Sequence, residues 1–90
     1  MNMKAKLKAK QQLPKWFRGE LYEEGAVVQN RFGGGEIELN NVELSMYDFV
    51  MGAVIMAEMG NRETKLITEL RKGLDWFRMN NAEAYMVLLD

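Results

Sequence analysis

The chain contains no cysteine and no histidine. Those two absences remove disulfide staples, thiol nucleophiles, imidazole bases and almost every structural zinc site. Long apolar runs are missing as well. The longest, Phe49 to Ala57, is nine residues, where a membrane-spanning helix needs about 17–25. Neither sign of charge dominates: twelve basic residues stand against thirteen acidic ones, a net −1, so bulk charge names no partner. Ninety residues give room for one core. The apolar share of 48% and the charged share of 28% are ordinary for a globular chain.

The near-zero net charge hides an asymmetry. The first eighteen residues hold Lys4, Lys6, Lys8, Lys10, Lys15 and Arg18 and no acid, while the other six basic residues share the remaining chain with all thirteen acids. This is a basic arm on an acidic body. From Met1 to Gln12 lysine alternates with Met, Ala and Leu, and only Met3 and Leu7 offer anchors. So little burial does not offset the entropy of ordering, and residues 1–12 are expected to be a disordered arm. Pro14, the one proline, biases Leu13 towards extended geometry and ends the arm. A single α+β domain is expected over 13–90. The cations of the arm are not followed by the apolar stretch of a secretion signal, so the cytoplasm is the expected location.

Between Gly19 and Asn40 the periodicity is two. Glu20-Leu21-Tyr22, Ala26-Val27-Val28-Gln29-Asn30 and Glu36-Ile37-Glu38-Leu39 read as short strands, with turns at Glu24-Gly25 and Gly33-Gly34-Gly35. The expected element is a short antiparallel meander or hairpin with Ile37 and Leu39 on one face and Glu36 and Glu38 on the other. Such a ribbon is marginal alone and must lean on something. Asn40 with Glu43 three residues on fits a capping box and predicts a helix from Val42 to Met59, stopped at Gly60. Asn61 is the expected cap of a second helix reaching Met79, with Leu66, Ile67, Leu70, Leu74 and Phe77 on one side and Arg71, Asp75 and Arg78 on the other. Asn80 with Glu83 repeats the cap for a short helix over Ala82 to Leu89. The expected fold is therefore a β-hairpin or meander, a helical hairpin and a short C-terminal helix, mostly α.

The first of these helices is the odd element, because apolar side chains point in nearly every direction from it. A helix apolar all round is a buried helix. Leaving only Leu44, Met51, Ile55 and Met59 in water forfeits about 6–12 kcal/mol at roughly 1.5–3 kcal/mol each. That is comparable with the roughly 5–15 kcal/mol by which a whole domain is stable. These four residues are the expected interface of a homo-oligomer, a dimer first, with a fully wrapped monomer as the alternative.

Other features carry less chemistry. Asp48 is a lone acid among apolar neighbours, and no base, nucleophile or cationic clamp accompanies it. Glu20, Glu23, Glu24, Glu36 and Glu38 lack the ordered ligands of a calcium loop and read as a solvated face. Gly33-Gly34-Gly35 leads into a strand and has no Lys-Ser or Lys-Thr after it, so it is a turn and not a phosphate loop. Trp16-Phe17-Arg18 suits base stacking or, as the preferred reading, an anchor of the chain end onto the core. The expectation is a chain that is not an enzyme and holds no cofactor or metal. As the alternative function, Lys4, Lys6, Lys8, Lys10, Lys15 and Arg18 contact nucleic-acid phosphates. Six such contacts give a log–log salt slope of about −5.

Several stretches carry a likeness: Leu13-Pro14-Lys15-Trp16-Phe17, Gly25-Ala26-Val27-Val28-Gln29-Asn30, Ile37-Glu38-Leu39-Asn40, Glu43-Leu44-Ser45-Met46-Tyr47-Asp48-Phe49 and Gly73-Leu74-Asp75-Trp76-Phe77-Arg78. Together they resemble small uncharacterised proteins of marine tailed phages, especially those infecting cyanobacteria. That resemblance covers most of the chain outside the basic arm. It implies a phage origin, no assigned activity and no catalytic residues. The resulting expectation is an oligomeric interaction or assembly protein working in a phage or its host cell.

Overall fold

The capping box expected at Asn40 forms, and it sets where the central helix begins. In this computed structural model, which describes residues 11–90, Asn40 Oδ1 accepts from the Glu43 N–H at 2.8 Å and Glu43 Oε1 accepts from the Asn40 N–H at 3.0 Å. Helix α1 then runs Asn41–Glu58. It ends where Gly60 takes φ +102°, a left-handed conformation that costs glycine nothing. The expected arm falls on residues of which all but Gln11 and Gln12 lie outside the described ones. Those two belong to the body: Gln11 bonds to Glu43 and Asn40, and the Gln12 carbonyl accepts from Trp76 Nε1 at 3.1 Å. The body therefore includes Gln11 and Gln12.

Ahead of α1, strands β1 (Ala26–Gln29) and β2 (Glu36–Leu39) pair antiparallel, with Ala26 opposite Leu39 and Val28 opposite Ile37. Period-two alternation puts Val28, Ile37 and Leu39 on the face that packs inward, with Leu39 fully buried. Glu36 and Glu38 stay on the wet face, exposed. Among the described residues this hairpin is the whole sheet, so the third strand expected at Glu20-Leu21-Tyr22 does not form. The reason is a tertiary contact: the Tyr22 N–H, which a ladder would need, donates to Ser45 Oγ on α1 at 3.0 Å.

Helix α2 (Thr64–Asn80) returns antiparallel to α1, and α3 (Ala82–Leu88) turns back across the hairpin. The return direction follows from the contacts, since Gly73 meets Val50 while Tyr47 lies edge-on to Phe77 at 6.4 Å between centroids. Gly73 permits this approach: a Cβ there stands 2.7 Å from Val50 Cγ2. Two caps differ from expectation. Asn61 Oδ1 accepts from the Glu63 N–H, forming a turn before α2, and Glu63 is the residue at the cap. Asn80 ends α2, and its neighbour Asn81 caps α3 through Ala84 N–H. Leu39, Met46, Val50, Phe77, Ala84 and Leu88 form the core. Trp16 and Phe17 anchor the chain end onto it through Phe49, with centroids at 5.9 and 5.3 Å.

Candidate functional site

On a helix turning 100° per residue, Met46, Val50 and Ala53 share the inner side of α1, and all three are buried. Asp48, Gly52, Ile55 and Met59 fall within about 60° of one another on roughly the opposite side. This outward stripe carries one part of the open apolar surface; Leu21, Val27, Phe32, Met79 and Met86 are exposed elsewhere on the chain. Ile55 is 48% exposed and Met59 81% exposed, and Met56 beside them is 47% exposed.

The four residues expected at an interface divide along the helix. Leu44 is half-buried and packs against the core cluster, which draws the amino-terminal part of the stripe into the body. Met51 is half-buried as well, at the edge of a groove. Ile55 and Met59 face outward. The structure adds Met56, Gly52 and Asp48 to the same region. Met56 lies off the angular sector of the four, while Gly52 and Asp48 lie on it or at its edge without a large apolar side chain, so a search for the widest apolar arc passes over them.

Two grooves flank the stripe. One, of about 320 Å³, runs between α1 and α2 and is lined by Phe49, Gly52, Ala53, Met56 and Leu66, with Arg18 and Glu69 at its rim. The other, of about 190 Å³, lies between α1, the hairpin loop and the chain end, with Phe32, Met51, Val54 and Leu88 in its walls. Phe32 is 82% exposed on that loop. Arg31 ties the loop to α1, bonding Glu58 Oε1 at 3.0 Å while its guanidinium stacks over the Phe32 ring at 4.7 Å. The ridge of Ile55 and Met59 thus stands between two apolar hollows.

Electrostatics around the site are structural in form. Arg18, expected to contact phosphate, instead clamps Glu69 with Nε at 3.1 Å from Oε2 and an Nη at 2.7 Å from Oε1. A two-point clamp of this kind occupies the guanidinium fork. Arg18 thereby spends two of its donors on Glu69 while its side chain stays 57% exposed. Lys15 is exposed, and Lys4, Lys6, Lys8 and Lys10 lie outside the described residues. The hydrogen bond and charge of Arg18, with Lys65 and Lys72 adding to them, hold the Glu69 carboxyl below its usual range despite its burial. A depressed carboxylate stabilises the fold above the pKa of the unfolded chain and loses that contribution as pH falls through its own lower pKa. The expected result is a denaturation midpoint that declines below about pH 5 in the native protein. In Glu69→Gln the midpoint is lower at neutral pH, and the two curves converge on acidification. Urea titrations across that range check it.

Asp48 is exposed, beside Tyr22. Partial burial, and then the charges of Asp48 and Glu20, raise the Tyr22 phenol above its ordinary pKa. Among the described residues no group of three or more acidic side chains is placed to hold a metal ion, and Glu23, Glu24 and Glu38 border an open depression at the base of the hairpin. Gly33 and Gly34 take positive φ in the turn that the three glycines were expected to make.

Glu43 is the residue whose role the sequence shows least. It is fully buried, and beyond its capping bond its Oε2 accepts from Gln11 Nε2 and Asn81 Nδ2, each at 3.0 Å. One carboxylate thus joins the chain entry, the start of α1 and the cap of α3. No buried side-chain nitrogen or oxygen among the described residues lacks a partner, so the interior offers no unsatisfied group for a ligand to complete.

No family model, no curated protein and no solved structure matches the chain. No helix among the described residues is long and apolar enough to cross a membrane.

Proposed function

We propose that this chain is a non-enzymatic interaction or assembly protein that works as a homo-oligomer, built first as a dimer through α1. The observation that carries the reading is the open apolar stripe ending in Ile55 and Met59, together with Met56. Apolar surface gathered on one helix and flanked by apolar grooves marks a protein contact, whereas scattered single residues carry no such meaning. Glu43 and Glu69 are committed to neutral donors and to Arg18, which is a structural use of both carboxylates. The phage setting and the cytoplasm of its host rest on the sequence resemblance and the composition.

Light scattering on a sizing column tests the reading. The native protein is expected to run at twice the mass of one chain or more. Ile55→Lys combined with Met59→Lys is expected to run as a folded single chain, because both residues face outward. A native protein that stays a single chain at high concentration overturns the proposal.

A further inference from the structure

Among the described residues no packing contact requires glycine at position 52. A glycine inside a helix costs roughly 0.5–1 kcal/mol relative to alanine, and packing normally explains it, as Val50 explains Gly73. At Gly52 an added Cβ meets nothing within 4 Å. The residue lies on the outward stripe of α1, one turn before Ile55. A missing side chain beside the ridge, at the edge of the α1–α2 groove, permits another backbone to approach closely.

Within one copy Asp48 has Tyr22 as a hydrogen-bond neighbour but, among the described residues, no cationic partner. Asp48 marks the amino-terminal end of the stripe. Among the described residues three ion pairs form, Arg18–Glu69, Arg31–Glu58 and Arg78–Asp75, and Asp48 belongs to none of them. At the opposite end Arg62 places one Nη 2.8 Å from the Ala57 carbonyl, at the carboxyl end of α1, with further guanidinium donors to offer.

We propose that a second copy of this chain covers α1, crossing it antiparallel so that Ile55 of each copy seats on Gly52 of the other and Asp48 of each meets Arg62 of the other. This deepens the oligomeric reading given above and rests on it. The stripe Asp48, Gly52, Ile55, Met59 has spacings of four, three and four, which read the same in both directions. Reversing one helix against another therefore sets Gly52 opposite Ile55 and Asp48 opposite Met59, about 16 Å along the axis at 1.5 Å per residue. Arg62 lies at that same end. A parallel pairing sets Asp48 against Asp48, and like charges at a contact are costly. The antiparallel pair is self-complementary and closes on itself with two-fold symmetry.

Charge exchange measured by sedimentation equilibrium tests this register. Asp48→Arg alone places two cations at each end of the pair, and Arg62→Asp alone places two acids there. Each variant alone is expected to weaken the dimer about tenfold or more. Mixed one to one, the two variants have opposite charges at both ends and are expected to regain the native mass. A third variant, Gly52→Leu, is expected to keep its helical circular dichroism and lose the dimer, since a Cβ at this position meets nothing in its own chain and the longer side chain fills the notch. A mixture that stays monomeric, or a Gly52→Leu chain that dimerises undiminished, overturns the register while the native dimer still supports the oligomeric reading. A monomeric native protein overturns both.

Discussion

Glu43→Ala is expected to destabilise the protein by about 3–6 kcal/mol, because a buried donor that loses its partner costs roughly 1–3 kcal/mol. Gln11 Nε2, Asn81 Nδ2 and the Asn40 N–H all direct hydrogens at this carboxylate. Gln11 keeps its bond to the Asn80 carbonyl, so its loss is partial, while Asn40 and Asn81 have their donors stranded. Glu43→Gln keeps the shape and one acceptor oxygen but turns an amide hydrogen towards amides, and its expected cost is the smaller of the two. Urea unfolding of both variants checks the order. If alanine costs no more than about 1 kcal/mol, the value of an ordinary helix cap, then Glu43 is a cap and nothing else.

Phe77→Ala is expected to cost about 3–5 kcal/mol, the usual range for removing a buried aromatic ring. The ring is fully buried, and Tyr47 and Trp76 meet it at 6.4 and 5.9 Å between centroids. In a domain of this size each 1 kcal/mol lowers Tm by roughly 4–8 °C, so the variant is expected to be mostly unfolded at 37 °C. Phe77→Leu fills more of the space and is expected to lose less. A calorimetric Tm within a few degrees of the native value for Phe77→Ala places the core elsewhere.

What was legible in the sequence follows from the range of each interaction. The Asn40–Glu43 box, the stop at Gly60, the glycine turn and the two faces of the hairpin are all decided within a few residues, and each is present. The third strand was not legible, because nothing near Tyr22 announces that Ser45 takes its N–H. Asn80 and Asn81 are equally competent caps in isolation, and only the path of α2 chooses between them. Arg18 read as a free cation of the arm until Glu69, fifty-one residues away, was brought against it. The role of Glu43 as a junction was hidden for the same reason, since Gln11 and Asn81 are distant in sequence.

The candidate site was legible in part. Counting apolar directions around α1 identified a helix with more greasy surface than one chain covers. It placed the open part too far towards the amino terminus, where Leu44 packs inward. The signal in Gly52 needs the structure, because a helical glycine acquires meaning only when the space around it is known.

Methionine oxidation offers the most direct test of a covered α1. Met59 and Met79 are exposed to a similar extent in the single chain, 81% and 83%, and methionine oxidation follows exposure. Met59 lies at the end of the outward stripe, while Met79 is near the end of α2, at the opposite end of the helical hairpin. With the full-length protein at high concentration under dilute hydrogen peroxide, peptide mass spectrometry is expected to show Met59 oxidising several-fold more slowly than Met79, with the gap closing on dilution. Equal rates at every concentration contradict the account.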